Sequence, residues 1–444
     1  MRDAHITVAI LKQVLSQSIS PSELVRRIAT HLCSVCPECE AALEQFTALT
    51  EDMASVPEGE PASSGVAACA LPGIEEQPTK LRPHVQAEQE RARKKGEALA
   101  RLPDDVARAG IEEGEYRGAA LAEELLIYVH RCLPGRPQDA LRFAGLALLV
   151  LDHAPESPHA IDVRVRATAH VGNVVRIRGG LQAGHIVETA RWIMNHADLA
   201  NPLTAAEVDW IEGTLRRHQR RFDEALPLLQ RAAIAYQKYG APLDSYRVAL
   251  SLALVYQDMG DYQRAAEIPL VVMAADVPPY LRIAAAQNVA LAWADAGHTE
   301  QAAALIEEAE EILVQADPLT RTRSSWIKGR IAKGLKDWDA AEFHLRAAAH
   351  GMRRLEKPYD VALIHLDLSA VFLAAGRSNE VRQLAEELVA VFDGFGVHRE
   401  AITALALYRD AVALDQVSES EISELAAYLR AAAVDPGLAW RAPA

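Results

Sequence analysis

Apolar and polar positions repeat at regular intervals along the second half of the chain. Five short stretches each begin as a turn, continue as a helix, and carry a small or apolar residue at the same place. These residues are Ala225, Ala265, Ala302, Ala341 and Val381, and subtraction gives separations of 40, 37, 39 and 40. Three residues earlier stand Phe222, Tyr262, Thr299, Trp338 and Ser378. The spacing predicts an array of helical hairpins, with two weaker units around Ala140 and Gly184.

A second match supports the same register. The segments 210–225 and 326–341 both begin Trp-Ile-x-Gly, and they lie 116 residues apart, which is three repeats. One position of the repeat is always small, and its members are Gly213, Ala253, Ala290, Gly329 and Ser369. A small side chain there lets the two helices of a hairpin approach closely.

Helix–turn–helix units with this placement of Gly, Ala and aromatic residues resemble tetratricopeptide repeats. The usual unit has about 34 residues. The present units are longer and are similar to the extended tetratricopeptide-like repeats of some bacterial regulators. The resemblance implies an all-α, tetratricopeptide-like α-solenoid, or superhelix, over residues 137–415. An irregular helical bundle is the alternative.

The rest of the chain divides into four segments. Residues 1–50 are predicted to form a small helical module, with a good helix start at Ser20. Residues 51–83 are rich in Pro, Gly, Ser and Glu and lack a periodic apolar face, which predicts a flexible linker. A helical connecting or capping region is predicted over 84–136, and a C-terminal capping helix and tail over 416–444.

Composition narrows the class of protein. Half of the residues are apolar but only 5% are aromatic, and a core of Ala and Leu favours close-packed helices over a β-sandwich. The net charge of -15 argues against general nucleic-acid binding, which needs a surplus of Lys and Arg. The first residues lack the apolar core of a secretory signal, and the longest apolar run is about half a membrane span. We expect a soluble cytoplasmic protein.

The run THLCSVCPEC, residues 30–39, contains three of the five cysteines. An odd number of cysteines with such a cluster is a poor disulfide framework. His31, Cys36 and Cys39 are of the residue types that hold Zn2+ in a tetrahedral site. His5 is the best candidate for the fourth ligand, and Cys33 is the alternative.

A small module gains stability from a metal, and four protein ligands leave no open position, so the expected zinc is structural. A redox Cys-x-x-Cys pair and unliganded thiols are the other two interpretations. No thioredoxin-like βαβ pattern surrounds the run.

The sequence from His31 to Cys39 is similar to the His…Cys-Pro-x-Cys motif of bacterial zinc-binding anti-sigma domains. In that family a His or Cys about two dozen residues upstream completes the site, and His5 fits that role. The gap between His31 and Cys36 is four residues, where the common pattern has three. Bacterial proteins that join such a module to tetratricopeptide repeats are often encoded near sigma factors or caspase-like proteases. This association is the only link to either partner.

Motifs that carry catalysis are absent from the sequence. It contains no HExxH, no GxxxxGK[ST] phosphate loop and no GxSxG nucleophile elbow. His365 and Asp367 are two residues apart, so a helix points them to different faces. We therefore expect a protein that is not an enzyme.

Partner-binding residues are expected on the first helix of each hairpin, which a repeat superhelix presents on its concave side. The register gives six polar candidates there: Arg247, Ser251, Asn288, Arg323, Arg330 and Asp367. An Asn amide can hold an extended peptide backbone, and an Arg can clamp a carboxylate with two parallel bonds. The alternative for each residue is an ordinary solvated side chain.

Three functions fit these observations. The first is a non-enzymatic scaffold or regulator that binds a protein or peptide partner, such as a sigma factor, through the superhelix, the zinc module or both. The acidic surface suits a basic partner. The second is an adaptor or substrate of a caspase-like protease, cleaved within 51–83. The third is a sensor of a peptide or small ligand.

Overall fold

The computed structural model describes residues 78–394 except 179, 181, 220, 310–312, 314–315 and 356, together with Glu424, Leu425 and Tyr428. These described residues contain sixteen α-helices and no β-strand, which confirms the predicted all-α class for this part of the chain. None of these helices is both long enough and apolar enough to cross a lipid bilayer. The predicted zinc ligands His5, His31, Cys36 and Cys39, with Cys33, lie outside the described residues.

The helices follow one another with short connections. The first six are α1 (Pro78–Arg101), α2 (Asp104–Glu112), α3 (Ala119–Cys132), α4 (Pro137–Asp152), α5 (Pro158–Ile177) and α6 (Ala183–Asn195). The next five are α7 (Leu203–His218), α8 (Phe222–Lys238), α9 (Pro242–Met259), α10 (Tyr262–Ala274) and α11 (Pro279–Asp295). The last five are α12 (Thr299–Glu308), α13 (Pro318–Gly334), α14 (Trp338–Arg354), α15 (Pro358–Ala374) and α16 (Ser378–Gly394). Because α1 begins at Pro78, the end of the segment predicted as a linker is helical.

The described residues belong to two compact units. The first comprises 78–131, 138–168 and 192–200, and the second comprises 132–137, 169–191 and the described residues from 201 onward. In the first unit, Arg142 of α4 donates to the carbonyl oxygens of Leu102 (2.6 Å) and Leu99 (3.3 Å) at the end of α1. A guanidinium group in this place satisfies carbonyl groups that the helix itself leaves without a partner.

The second unit is a stack of helix pairs. The first helix of each pair is α7, α9, α11, α13 or α15, and the second is the helix that follows it. Each first helix packs against its own second helix, and successive first helices also contact one another. The aligned residues of the repeat are buried between the helices, since Ala225, Ala302, Ala341 and Val381 have no exposed surface and Ala265 keeps 1%. The register that the sequence predicts is confirmed.

The turn inside each pair has one recurring geometry. Two or three residues separate the helices. In four of the turns the residue two places before the second helix has a positive φ, and these residues are Gly260, Gly297, Lys336 and Gly376. The next residue donates its N–H to a carbonyl five residues back, as Asp261 does to Tyr256 (2.9 Å) and Asp337 to Ala332 (3.0 Å). This bond closes the end of the first helix.

Asp side chains then start two of the second helices. The Asp261 carboxylate accepts the N–H of Arg264 at 3.1 Å, and the Asp337 carboxylate accepts that of Ala340 at 3.0 Å. A carboxylate that caps a helix in this way satisfies a free N–H and compensates the positive end of the helix dipole. The predicted helix starts at Tyr262 and Trp338 are confirmed.

The small position of the repeat lies where first and second helices touch. A Cβ atom on Gly329 would be 2.6 Å from Cγ of Leu345, and one on Gly213 would be 2.8 Å from Cγ of Leu229. Both leucines are fully buried. Glycine therefore allows α7 to approach α8, and α13 to approach α14, more closely than any other residue would.

Candidate ligand-binding face of the first helices

The six residues predicted to bind a partner all lie on first helices of the second unit. Arg247 and Ser251 are on α9, Asn288 is on α11, Arg323 and Arg330 are on α13, and Asp367 is on α15. We call the side of the first helices that carries these residues the inner face. The structure joins most of them in hydrogen bonds between neighbouring first helices.

Ser251 and Asp367 accept hydrogen bonds from tryptophans at the same position of two repeats. Nε1 of Trp210 donates to Oγ of Ser251 at 2.9 Å, and Nε1 of Trp326 donates to Oδ2 of Asp367 at 2.6 Å. The two indoles belong to the matching Trp-Ile-x-Gly segments. An indole N–H that is removed from water needs an acceptor, so these two residues stabilise the stack.

Asn288 is buried, and both ends of its amide have partners. Its Nδ2 donates to the carbonyl oxygen of Leu250 at 3.2 Å, and its Oδ1 accepts from Nη2 of Arg323 at 3.5 Å. A ligand backbone would have to replace these bonds to use the amide. Asn288 therefore acts first as a link between α9, α11 and α13.

Arg330 and Arg247 have carboxylate partners. Nη2 of Arg330 lies 2.7 Å from Oδ1 of Asp295. Burial opposes the charge of Arg330, but the nearby carboxylates of Asp367 and Asp295 outweigh that effect and raise its pKa. Arg247 donates to Asp244 at 2.6 Å and to the hydroxyl of Tyr280 at 2.6 Å. These two cations are neutralised within the protein.

A second set of cations includes Arg323 of the inner face and three further cations whose charges act on it or on one another. It consists of Arg176 near the end of α5, Arg217 near the end of α7, Arg323 in the second turn of α13 and Lys357 just before α15. We call these four residues the basic cluster. All four are half-buried. Arg217 donates to Oδ2 of Asp258 at 2.7 Å.

Arg176 and Arg323 contact neutral partners. Arg176 donates to Oδ1 of Asn173 at 2.8 Å, and its Nη1 lies 2.8 Å from Nε2 of His218. Arg323 contacts the amide of Asn288. Among the described residues, neither guanidinium group forms an ion pair with a carboxylate. Each retains N–H donors that a ligand can use.

Burial and repulsion by neighbouring cations make the charges of three members of the basic cluster costly. Burial and the charge of Arg217 lower the pKa of Arg176 to about 10, against the opposing effect of Asp360. Burial and Arg217 also lower the pKa of Arg323, against the carboxylates of Asp360 and Asp317. The pKa of Lys357 is lowered by burial and by Arg176 and Arg323, with Asp360 again opposing. Strongly perturbed groups of this kind concentrate at functional sites.

The electrostatic interactions of the basic cluster connect helices that are far apart in the chain. Charges act on each other only over short distances at physiological salt. Arg176 on α5 nevertheless responds to Asp360 on α15, and Arg323 on α13 responds to Arg217 on α7. Cations and carboxylates from helices that are distant in the chain therefore lie close enough together for their charges to interact.

Favourable interaction with a helix dipole explains the positions of only two of the four cations in the basic cluster. Cations are favourable in the last turn of a helix, where Arg176 and Arg217 lie. Lys357 occupies the position before the first turn of α15, where positive charge is unfavourable, and Arg323 lies too far along α13 to gain. Interaction with a helix dipole therefore does not explain the placement of these two cations.

Sequence reasoning identified Arg323 and missed the other three members of the basic cluster. Arg176 lies in the string GNVVRIRGG, which precedes the five aligned repeats. Lys357 lies in a connection, outside the helical register. No local pattern marks these residues, because they meet only through the arrangement of helices that are distant in the chain.

Comparison with solved structures shows the fold. The crystal structure of a Rap protein complexed with Competence and Sporulation Factor matches with a TM-score of 0.57, over 71% of this chain and 89% of that chain. The two sequences are 11% identical, so this likeness concerns the fold alone. No protein-family model matches the sequence, and no curated protein is significantly similar to it. The described helix pairs and this match together establish a tetratricopeptide-like helical-repeat fold.

Proposed function

We propose that this protein is a non-enzymatic regulator that binds a protein or peptide partner on the inner face of its first helices. The observation that carries the proposal is the basic cluster. Its four cations come from four helical repeats, are half-buried, and outnumber the carboxylates that act on them. A ligand with complementary charge would relieve that cost on binding.

The fold supports the same function. Stacked helix pairs present a continuous surface that suits an extended segment of another protein. The Rap protein of similar fold forms a complex with Competence and Sporulation Factor. This complex supports the proposal because it shows that a protein of this fold can hold a bound factor.

The proposal is tested by affinity purification with two matched variants. The cluster variant, Arg176→Gln with Arg323→Gln, removes two cations from the inner face. The control variant, Arg282→Gln with Arg354→Gln, removes two exposed cations whose side chains form no hydrogen bond with another residue that the structure describes. We expect one host protein to be recovered with the wild type and the control, and to be strongly depleted with the cluster variant. Equal recovery with all three proteins would place the binding site elsewhere.

We propose a separate partner for the predicted zinc module at residues 1–50. This partner is a sigma factor or another regulatory protein, in keeping with the resemblance of the module to anti-sigma domains. The purification described above tests this directly, since a sigma factor is identified by mass spectrometry. A variant that lacks residues 1–50 would lose a partner held by the module and keep one held by the inner face.

A further inference from the structure

The charge of the basic cluster is opposite in sign to the charge of the protein as a whole. The chain has a net charge of -15. Within the basic cluster, however, four cations face Asp258 and Asp360, with Asp317 at the edge. An acidic exterior keeps anions away in general, so a local reversal of sign selects for anions that fit the inner face.

The carboxylates near the cluster are already committed. Asp258 accepts from Arg217. Asp317 caps α13, where it accepts the N–H groups of Leu319 (2.9 Å) and Thr320 (3.1 Å). Asp360 is the remaining carboxylate, and it acts on three of the four cations. One carboxylate cannot neutralise Arg176, Arg323 and Lys357 together.

The guanidinium groups of Arg176 and Arg323 have a chemistry that selects the ligand. A planar guanidinium group matches a carboxylate through two parallel hydrogen bonds. Two such groups on different helices fit two separate carboxylates better than the single carboxylate at a chain terminus. The neutral partners that now hold them, Asn173, His218 and Asn288, fix the side chains without neutralising them.

We infer that the basic cluster binds an acidic segment of the partner, with Asp or Glu side chains seated on Arg176 and Arg323. This inference rests on the proposed function and names the chemistry of its ligand. It reverses the expectation, drawn from net charge alone, that the partner is basic. The remaining inner-face residues, which are already paired, shape the surface around the acidic side chains.

A degenerate pool of short peptides with amidated C-termini tests the inference. The full chain is immobilised, the pool is passed over it at physiological salt, and the retained peptides are sequenced. The wild type and the control variant should enrich peptides with two or more Asp or Glu residues. The cluster variant should bind those peptides at least about tenfold more weakly, because it lacks two charge-assisted contacts.

The outcomes separate this inference from the proposed function. Retained peptides without acidic enrichment, or acidic peptides that bind the cluster variant equally well, would overturn the inference and leave peptide binding in place. If no peptide is retained by any variant, the inference fails, and the affinity purification decides the proposed function separately. Inorganic phosphate is the second probe: a rise in melting temperature of the wild type alone, without acidic peptides in the retained pool, would make the cluster a phosphate site and overturn the inference.

The melting temperature of the cluster variant distinguishes a loss of binding from a loss of folding. Removing two half-buried cations that Arg217 repels offsets the loss of their hydrogen bonds to Asn173, His218 and Asn288, so the melting temperature of the cluster variant should stay close to that of the wild type. A clear decrease would mean that the charges stabilise the stack. That result would also count against a binding role for the cluster.

Discussion

At the scale of single residues, His365 shows how burial on a first helix controls chemistry. Its side chain is 3% exposed on α15, and its Nδ1 has no hydrogen-bond partner among the described residues. Burial, with the positive charges of Arg353 and Arg346, lowers the pKa of His365 to about 4. The neutral imidazole is therefore the form that the folded protein accepts.

The pKa of His365 predicts a stability that falls in acid. A base whose pKa is lower in the folded state than in the unfolded state is destabilising when protonated. The stability should be complete above about pH 6.5 and should fall between about pH 6.5 and pH 4, by about 2 kcal/mol at pH 5 and about 3 kcal/mol below pH 4. Urea unfolding at several pH values measures this.

A His365→Gln variant provides the comparison, since glutamine is similar in size and does not titrate. The difference in unfolding free energy between the wild type and this variant should change with pH as described, while the other histidines cancel. An NMR titration that gives His365 an ordinary pKa would contradict the prediction.

At the scale of helices, the turn within each pair could be predicted from sequence and its energetics can be tested. The helix starts at Phe222, Tyr262 and Trp338 follow from a local pattern, because the turn and the first residues of a helix lie within a few positions of one another. The aligned turns use glycine at the positive-φ position in three of four cases, and Lys336 is the exception, with a φ of 60°. A lysine in this conformation is strained by its Cβ atom.

Replacing Lys336 with glycine should therefore stabilise the protein. We expect Lys336→Gly to raise the free energy of unfolding by about 1 kcal/mol, because relief of the strain exceeds the added freedom of the unfolded chain. The matched control is Leu335→Gly, one residue earlier, where φ is −79° and the side chain is exposed. That variant should lose about 0.5–1 kcal/mol. Equal effects of the two substitutions in denaturant unfolding would argue against strain at Lys336.

The close approach of α13 and α14 makes a second prediction at this scale. Gly329→Ala should destabilise the protein by about 1–2 kcal/mol, because the new methyl group meets the buried side chain of Leu345 and its backbone nitrogen at 3.2 Å. Gly184→Ala on α6 is the control, since nothing lies within 4 Å of its added Cβ atom. It should be neutral or stabilising by up to about 1 kcal/mol. Thermal unfolding compares the two, and a neutral Gly329→Ala would show that the helices can move apart freely.

The small position of the repeat and the basic cluster differ in how well the sequence predicts them. The small position of the repeat was predictable, because a recurring Gly or Ala at constant spacing reflects a contact that every repeat makes. The basic cluster was not predictable, because Arg176 and Lys357 lie far apart in the chain and come close only through the packing of several helices. The hydrogen bond from Trp326 to Asp367 was predictable in part. The register identified Asp367 as a candidate for partner binding and Trp326 as part of a repeated segment, but did not predict that they pair with each other.

At the scale of the whole molecule, the net charge of -15 hides a local excess of cations at the basic cluster. An acidic chain with a local basic cluster repels most polyanions at long range and attracts one only at the cluster. Binding of an acidic segment there should weaken as salt increases, because the contacts depend on charge. Within the described residues, the fold supplies the surface and the few unmatched cations supply the selectivity.

The zinc module is the last prediction, and it concerns residues outside the described part of the chain. We expect the purified full chain to carry one Zn2+, held by His31, Cys36, Cys39 and His5. Elemental analysis should give one zinc per chain for the wild type and none for Cys36→Ser with Cys39→Ser, because a zinc site rarely survives the loss of two of its four ligands.

His5→Ala and Cys33→Ser decide the fourth ligand, since only substitution of the true ligand should lower the zinc content. Cys69→Ser, in the predicted linker, is the matched control and should retain the metal. A metal-free protein whose Cys36 and Cys39 form a reversible disulfide would favour the redox interpretation instead.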